Sequence, residues 1–233
     1  MIEFRAFQVE DAGPYDVLLE PGSVLGLITP GGSGATRLLE ALTGARRHRG
    51  RLLVDGRPRN AGDVAYAPEE VEQILFGQTA REAIGRGGEA FADRLDAAHL
   101  LARPPQELSS GERRRLALAA VFGSGRPFLL FDRPTAGLDP DGQKRFWQAT
   151  AAHDGAMVVT LGSQEELRHC TFVLPVPGQG APWTGGQVAA DRQRMVRWPP
   201  DEASDLAWTL GLGAGQQALA EEVTRWRAGR KRR

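Results

Sequence analysis

Apolar and polar positions alternate with a two-residue period over residues 2–9, which predicts a strand with Ile2, Phe4, Ala6 and Gln8 on one face. A Gly13-Pro14 turn breaks that pattern, and residues 15–19 and 23–28 read as two more strands about the Pro21-Gly22 turn. The period then lengthens, and Leu38, Leu39 and Leu42 fall on the buried side of a helix. Residues 50–57 predict a strand running into an Asp55-Gly56 turn, with a further short strand over 63–67. An amphipathic helix is expected over 90–101, with Phe91, Leu95, Ala98 and Leu101 inward and Pro104-Pro105 ending it. A second apolar-faced helix opens at Ser109. Residues 128–131, FLLF, are apolar without interruption, as a central parallel strand buried on both faces requires. A helix over 141–153 and strands over 157–161 and 171–176 complete the regular part. Residues 178–197 are turn-rich, with Trp183 and Trp198 expected to pack, and a short helix in 199–212 precedes a basic end over 224–233. Strands alternating with helices make an α/β chain.

Length and charge narrow the classes. The 233 residues suffice for one large domain with a sizeable core. Its 29 basic and 29 acidic side chains cancel, so no nucleic-acid partner is expected. Arginine supplies nearly all the positive charge, because lysine occurs only at Lys144 and Lys231. A lone Cys170 excludes an intrachain disulfide and fits a reducing cytoplasm. No apolar run approaches the roughly 20 residues of a membrane span, and the first residues do not form a signal peptide. The expectation is a soluble or peripheral protein. There is no internal repeat and no metal-ligand spacing, and His153 and His169 are expected at the surface.

Three stretches carry chemistry. The first, GLITPGGSGATRLLEAL at 26–42, places glycines between a strand and a helix, where successive backbone N–H groups cradle phosphates. Gly31, Gly32 and Gly34 form such a loop with Ser33, and Thr36 supplies a hydroxyl for a magnesium ion. Thr29 stands at the first glycine position and Ala35 at the lysine position. Losing a charged partner costs roughly 1.5–3 kcal/mol, which Arg37 would offset from a different direction. Nucleotide binding here and a retained fold with an empty loop are both open on these residues. The second stretch, Ser109, Ser110, Gly111 and Glu112, offers a hydroxyl and free N–H groups at a helix start, although a serine N-cap alone is common. Arg113 to Arg115 beyond it suit a solvated face or contacts to the helical segment. In the third stretch, Asp132 ends the apolar strand and would hold magnesium through water together with Thr36.

LSSGE at 108–112, FLLFD at 128–132 and AGLD at 136–139, in that order, resemble the signature, Walker B strand and D-loop of ABC transporter nucleotide-binding subunits. The resemblance covers nearly the whole chain. It implies a P-loop NTPase (RecA-like) core with an antiparallel β-subdomain and an α-helical subdomain. The implied segments are 1–67 for the β-subdomain strands and phosphate loop, and 68–125 for the helical part with the signature. Residues 126–176 would run from Walker B to the switch region, followed by an extension over 177–233. It also implies ATP and Mg2+ as ligands, with Phe7 or Tyr15 a candidate for the adenine and core packing the alternative. Glu69 stands where the family has a glutamine, Arg133 where it has the catalytic glutamate, and Gly162 where it has the switch histidine. An arginine cannot serve as a general base; at Arg133 it would instead neutralise phosphates. Asp139 and the signature residues, which serve a neighbouring subunit in the family, survive. The stretch EQILFGQTAREAI resembles the cobalt and energy-coupling-factor importers in particular.

The losses fall on the site this chain would own. The expected assembly is therefore a heterodimer with a competent ABC ATPase, joined to a transmembrane subunit at the inner membrane face. Nucleotide at this chain's own site would be held weakly or without turnover. A scaffold that never binds nucleotide, and an unconventional ATPase using Arg37, Glu69 or Arg133, are the alternatives. A DNA-maintenance protein of the same fold would need a long coiled-coil insertion, for which the chain has no room.

Overall fold

Strand β7 (Phe128–Phe131) is buried at every residue because it lies inside a sheet covered on both faces. The structure, a computed structural model, describes residues 1–10, 12–28, 34–176 and 196–197. Around β7 run β3 (Val24–Ile28), β6 (Val64–Ala67), β8 (Ala156–Thr160), β9 (Phe172–Pro175) and β10 (Val196–Arg197). Their order across the sheet is β10-β9-β3-β8-β7-β6, all parallel except β10. Alternate residues of β7 serve opposite cores. Leu129 and Phe131 face the helical side, and Phe128 and Leu130 face the other. Both β3 and β6, within residues 1–67, belong to this parallel sheet rather than to the antiparallel one.

The antiparallel sheet holds β1 (Ile2–Val9), β2 (Ala12–Leu19), β4 (Arg49–Val54) and β5 (Arg57–Pro58) in the order β2-β1-β4-β5. Its β1 departs from strict alternation. Ile2 and Phe4 are buried as expected, but Phe7 and Val9 replace Ala6 and Gln8 on the inner face. Ala6 sits at φ 46° in a bulge where the register against both neighbours slips, and its N–H donates to Asp16 Oδ1 at 2.8 Å. Phe7 and Tyr15 are fully buried, with Phe7 stacked on His48, so both are core residues.

Helix α1 (Gly34–Thr43) buries Leu38, Leu39 and Leu42 against this region. Helix α2 (Ala80–Arg94) starts ten residues before the expected 90–101 helix and ends earlier. Thr79 caps it by accepting from the Glu82 N–H at 3.3 Å, while Glu82 takes the Gln78 N–H at 3.0 Å. A left-handed Gly85 (φ 68°) kinks it, and Leu100 lies in a separate 3-10 turn, Ala98–Leu100. Helix α3 (Ser110–Phe122) crosses α2 where Gly87 meets Gly123. A Cβ on Gly87 would stand 1.9 Å from the Gly123 carbonyl oxygen. Phe122 then joins Phe131 and Phe146 of α4 (Pro140–Ala151), with ring centroids 4.9 to 5.6 Å apart.

Both histidines expected at the surface are half-buried. His153 is half-buried beside Phe91 and Phe122, and its Nδ1 accepts from the Gly155 N–H at 2.8 Å. His169 lies flat on Trp147 with centroids 4.6 Å apart. Trp183, Trp198, the helix expected in 199–212 and the basic end lie outside the described residues.

Two predictions follow from this packing. Gly87→Ala should push α2 off α3 and lower stability by about 2 kcal/mol or more, read as a fall in the urea midpoint. Burial, with Arg168 adding to it, pushes the His169 pKa down to about 4. An unfolded histidine titrates near 6.5, so the stabilisation from keeping His169 neutral is complete above about pH 6.5 and lost as pH falls toward 4. His169→Phe should flatten that part of the stability profile, measured by denaturation at pH 7.5 and pH 5.

Candidate functional site

The ends of two adjacent parallel strands bring the central residues together. Ala67 ends β6 and pairs with Phe131, and its carbonyl accepts the Asp132 N–H at 2.8 Å. Asp132 is only 1% exposed. Neither of its carboxylate oxygens, nor Thr160 Oγ1, has a hydrogen-bond partner among the described residues. Burial raises the Asp132 pKa from the usual carboxylate range. The hydroxyls of Thr36 and Thr160 face the carboxylate and oppose that rise without closing full hydrogen bonds to it. The buried Asp132 carboxylate and Thr160 hydroxyl are left unsatisfied, and with the Thr36 hydroxyl these hard oxygen donors fit a hydrated Mg2+ held by Asp132 and Thr36.

Gly34 opens α1, and Ala35 at its second position is 2% exposed within the apolar cluster of Leu38 and Leu39. Thr29, Gly31, Gly32 and Ser33 lie outside the described residues. Arg37 does not stand in for a phosphate-binding lysine. Its Nη1 is 2.6 Å from Glu10 Oε2, and Glu10 also binds Arg46 at 2.9 Å.

Glu69 and Arg133, two of the positions expected to have lost catalytic residues, pair with each other at 3.3 Å, each side chain about half exposed. Arg133 holds a left-handed backbone at φ 47°, which a non-glycine residue adopts at a cost. Arg114 fixes it there. This arginine, 7% exposed, donates from Nη2 to the Arg133 carbonyl at 3.0 Å and from Nε to the Pro134 carbonyl at 3.2 Å. Its Nη1 also reaches Glu72 at 3.3 Å. Of the two settings expected for Arg113 to Arg115, Arg114 departs from the solvated face and instead reaches the helical segment at Glu72. Arg115 does reach the helical segment, at Asp96, over 3.5 Å.

Gly162 is exposed, and a Cβ there would meet only Glu166 Oε2 at 3.7 Å, so the position has room for a side chain. Glu166, which the sequence reading missed, organises this loop. Its Oε2 accepts the N–H groups of Gly162 at 2.6 Å and Ser163 at 3.1 Å. Its Oε1 takes the Thr135 hydroxyl, joining this loop to the turn after β7. The SQEEL stretch at 163–167, a serine followed three residues later by glutamate, is the signal that would have found it.

At the start of α3, Ser109 and Glu112 form a closed capping box. Glu112 Oε2 accepts both the Ser109 N–H and the Ser109 hydroxyl at 2.8 Å, and these bonds hold its carboxyl below the usual range. Ser110 is exposed beside them, and a Cβ on Gly111 would meet no atom within 4 Å. Asp139 Oδ1 caps α4 by accepting the Gly142 N–H at 2.7 Å.

A mixed parallel sheet with a helix N-terminus at its strand ends, plus an antiparallel sheet and a helical segment, is the ABC ATPase fold of P-loop NTPases. The chain belongs to the ABC transporter family, whose match spans residues 14–136. It is 34% identical over 212 residues to the hemin import ATP-binding protein HmuV of Pseudomonas fluorescens, covering 78% of this chain and 80% of that protein. The Myxococcus xanthus protein of the same name is 33% identical over 181 residues, 64% of this chain and 68% of its own. Among solved structures, cbiO1 from Clostridium perfringens, part of the cbiONQ ABC transporter complex, superposes with a TM-score of 0.62 at 18% identity. That superposition covers 75% of this chain and 85% of cbiO1. A putative ABC transporter ATP-binding protein from Pyrococcus furiosus gives 0.62 at 20% identity, over 75% and 96%.

Replacing Arg114 with methionine takes a donor from two carbonyls and a carboxylate, and of these the Arg133 carbonyl keeps the Ala136 N–H at 3.1 Å. Arg114→Met should cost about 3 kcal/mol, measured as a shift in the chemical denaturation midpoint.

Proposed function

We propose that this chain is the catalytically degenerate nucleotide-binding subunit of a heterodimeric ABC importer. The observation that carries this is the pairing of Glu69 with Arg133. A basic side chain neutralised by a neighbouring carboxylate stands where a water-activating glutamate is required, and base catalysis of that kind contributes roughly 10²–10⁴-fold. Ala35 and Gly162 remove two further groups that would act on the terminal phosphate. Asp132, Thr36 and Thr160 still present the oxygen atoms a nucleotide-bound Mg2+ needs. The chain therefore holds nucleotide weakly and does not turn it over. It offers Ser109, Ser110, Gly111, Glu112 and Asp139 to a competent partner ATPase.

The cargo class follows the relatives named for hemin import. Among the described residues no helix is long and apolar enough to cross a membrane. Ile74 and Phe76 are exposed, Phe76 at 79%, between the paired Glu69 and the start of α2, and this apolar edge suits a transmembrane subunit at the inner membrane face. A second reading, a scaffold that never binds nucleotide, draws support from the capture of Arg37 by Glu10 and Arg133 by Glu69.

Affinity capture of the chain from detergent-solubilised membranes should recover a second ABC ATPase with an intact phosphate-loop lysine, together with a membrane subunit. The chain alone should show no ATP turnover, and Ser109→Ala should lower the ATPase rate of the reconstituted pair at least tenfold. Unchanged activity of that pair refutes the heterodimer. A thermal shift with Mg-nucleotide separates the readings, since a ligand of the folded state raises apparent stability and a scaffold shows no shift.

A further inference from the structure

The cancellation of charge over the whole chain does not hold on every surface. Residues 46–51, RRHRGR, lead from the turn after α1 into β4 and carry four arginines and a histidine in six positions. Arg46 is engaged within the fold, on Glu40 at 2.8 Å and Glu10 at 2.9 Å. Arg47, Arg49 and Arg51 are exposed, and among the described residues no ion pair or hydrogen bond takes up their side chains. The carboxylates of the same sheet have other donors. Glu3 has Arg5, Asp16 has the Ala6 N–H, and Asp55 has the N-terminal amine.

Local structure presents these groups together. Leu52 and Val54 of β4 enter the core, so alternation puts Arg49 and Arg51 on the outer face, about 7 Å apart. Arg51 stands directly across from Arg5 of β1, and like charges so opposed cost stability until an anion offsets them. His48 adds a ring. One of its faces lies on the buried Phe7, with centroids 4.6 Å and planes 25° apart, and the residue is exposed, so the other face is open. Thr36 sits toward the far end of α1, a ten-residue helix about 15 Å long, so this surface is separate from the Asp132 site.

We infer that the outer face of β4 and the loop before it bind single-stranded nucleic acid, with Arg47, Arg49 and Arg51 on phosphates and a base stacked on the open face of His48. Unneutralised cations attract any polyanion. The open ring, backed by Phe7, selects one whose bases are free to stack. A lipid headgroup or an acidic peptide offers the charge without the planar base, and a duplex keeps its bases inside. This surface does not depend on the nucleotide-binding reading above.

The test is fluorescence anisotropy of the full chain with a labelled oligo-dT of about 12 nucleotides. A Kd of about 10 µM is expected near physiological salt, with log affinity falling against log salt at a slope of about −2, the value for three phosphates of a single strand. Arg47→Gln, Arg49→Gln and Arg51→Gln together should weaken binding at least tenfold and flatten the slope. His48→Ala should weaken it about tenfold with the slope unchanged, and His48→Phe, which keeps a ring, should retain it. Inorganic polyphosphate, which has charge but no bases, should compete with the same inhibition constant in the His48→Ala variant and the unmodified chain. All four residues are exposed, and equal urea midpoints show that the variants keep the fold. Failure of the oligonucleotide to bind overturns the inference. So does an affinity unchanged by the arginine substitutions, which would place binding elsewhere, as on the basic end over 224–233, or one unchanged by His48→Ala. Sedimentation with phosphatidylglycerol vesicles but no oligonucleotide binding overturns it in favour of a membrane contact.

Discussion

A single guanidinium organises the centre of this molecule. Arg114 projects from the first turns of α3 into a space with almost no access to water, and there it meets two backbone carbonyls and one carboxylate. Those acceptors belong to the turn after β7 and to the segment leading to α2. The bonds keep their strength because the site is dry, and they are obligatory for the same reason. The strained backbone of Arg133 persists because this grip over-determines it. The direction of the Arg133 side chain follows, and with it the meeting with Glu69.

Electrostatically, the site is a set of local neutralisations around one exception. Arg37 and Arg46 settle on Glu10, and Arg133 settles on Glu69. Asp132 alone keeps a buried carboxylate with nothing described to satisfy it. Burial of such a group is costly unless a proton, a metal or a donor arrives. The strand end therefore retains an appetite for a cation, although the groups that would act on a terminal phosphate are missing from Ala35 and Gly162.

The sheet was legible in the sequence because burial on both faces leaves an unmistakable apolar run, as in FLLF, and because turns at Pro21-Gly22 and Asp55-Gly56 mark the strand ends. The error on β1 came from assuming an unbroken period of two. One bulged residue at Ala6 exchanges the faces beyond it, and periodicity does not register such a slip. The 90–101 helix was misplaced because its apolar side was sought while the Thr79 and Glu82 cap was passed over. Residue types at the site were readable, whereas their pairings were not. Arg37 and Arg133 are equally free to face a phosphate on paper, and only the fold shows each facing a carboxylate. The burial of Arg114 and the half-burial of His169 were hidden for a related reason, since polar side chains usually mark the surface.

The contact of Gly87 with Gly123 has a mechanical side. Two helices that touch backbone to backbone have no side-chain cushion between them, so there is little play at their crossing. The second half of α2 and the whole of α3 thus behave as one stiff bar, jointed at the left-handed Gly85. One end of that bar carries Ser109; the other stands beside the aromatic cluster of Phe122, Phe131 and Phe146. Motion imposed on either helix near the crossing is transmitted to the other without slack, and the hinge at Gly85 sets where the bar can bend.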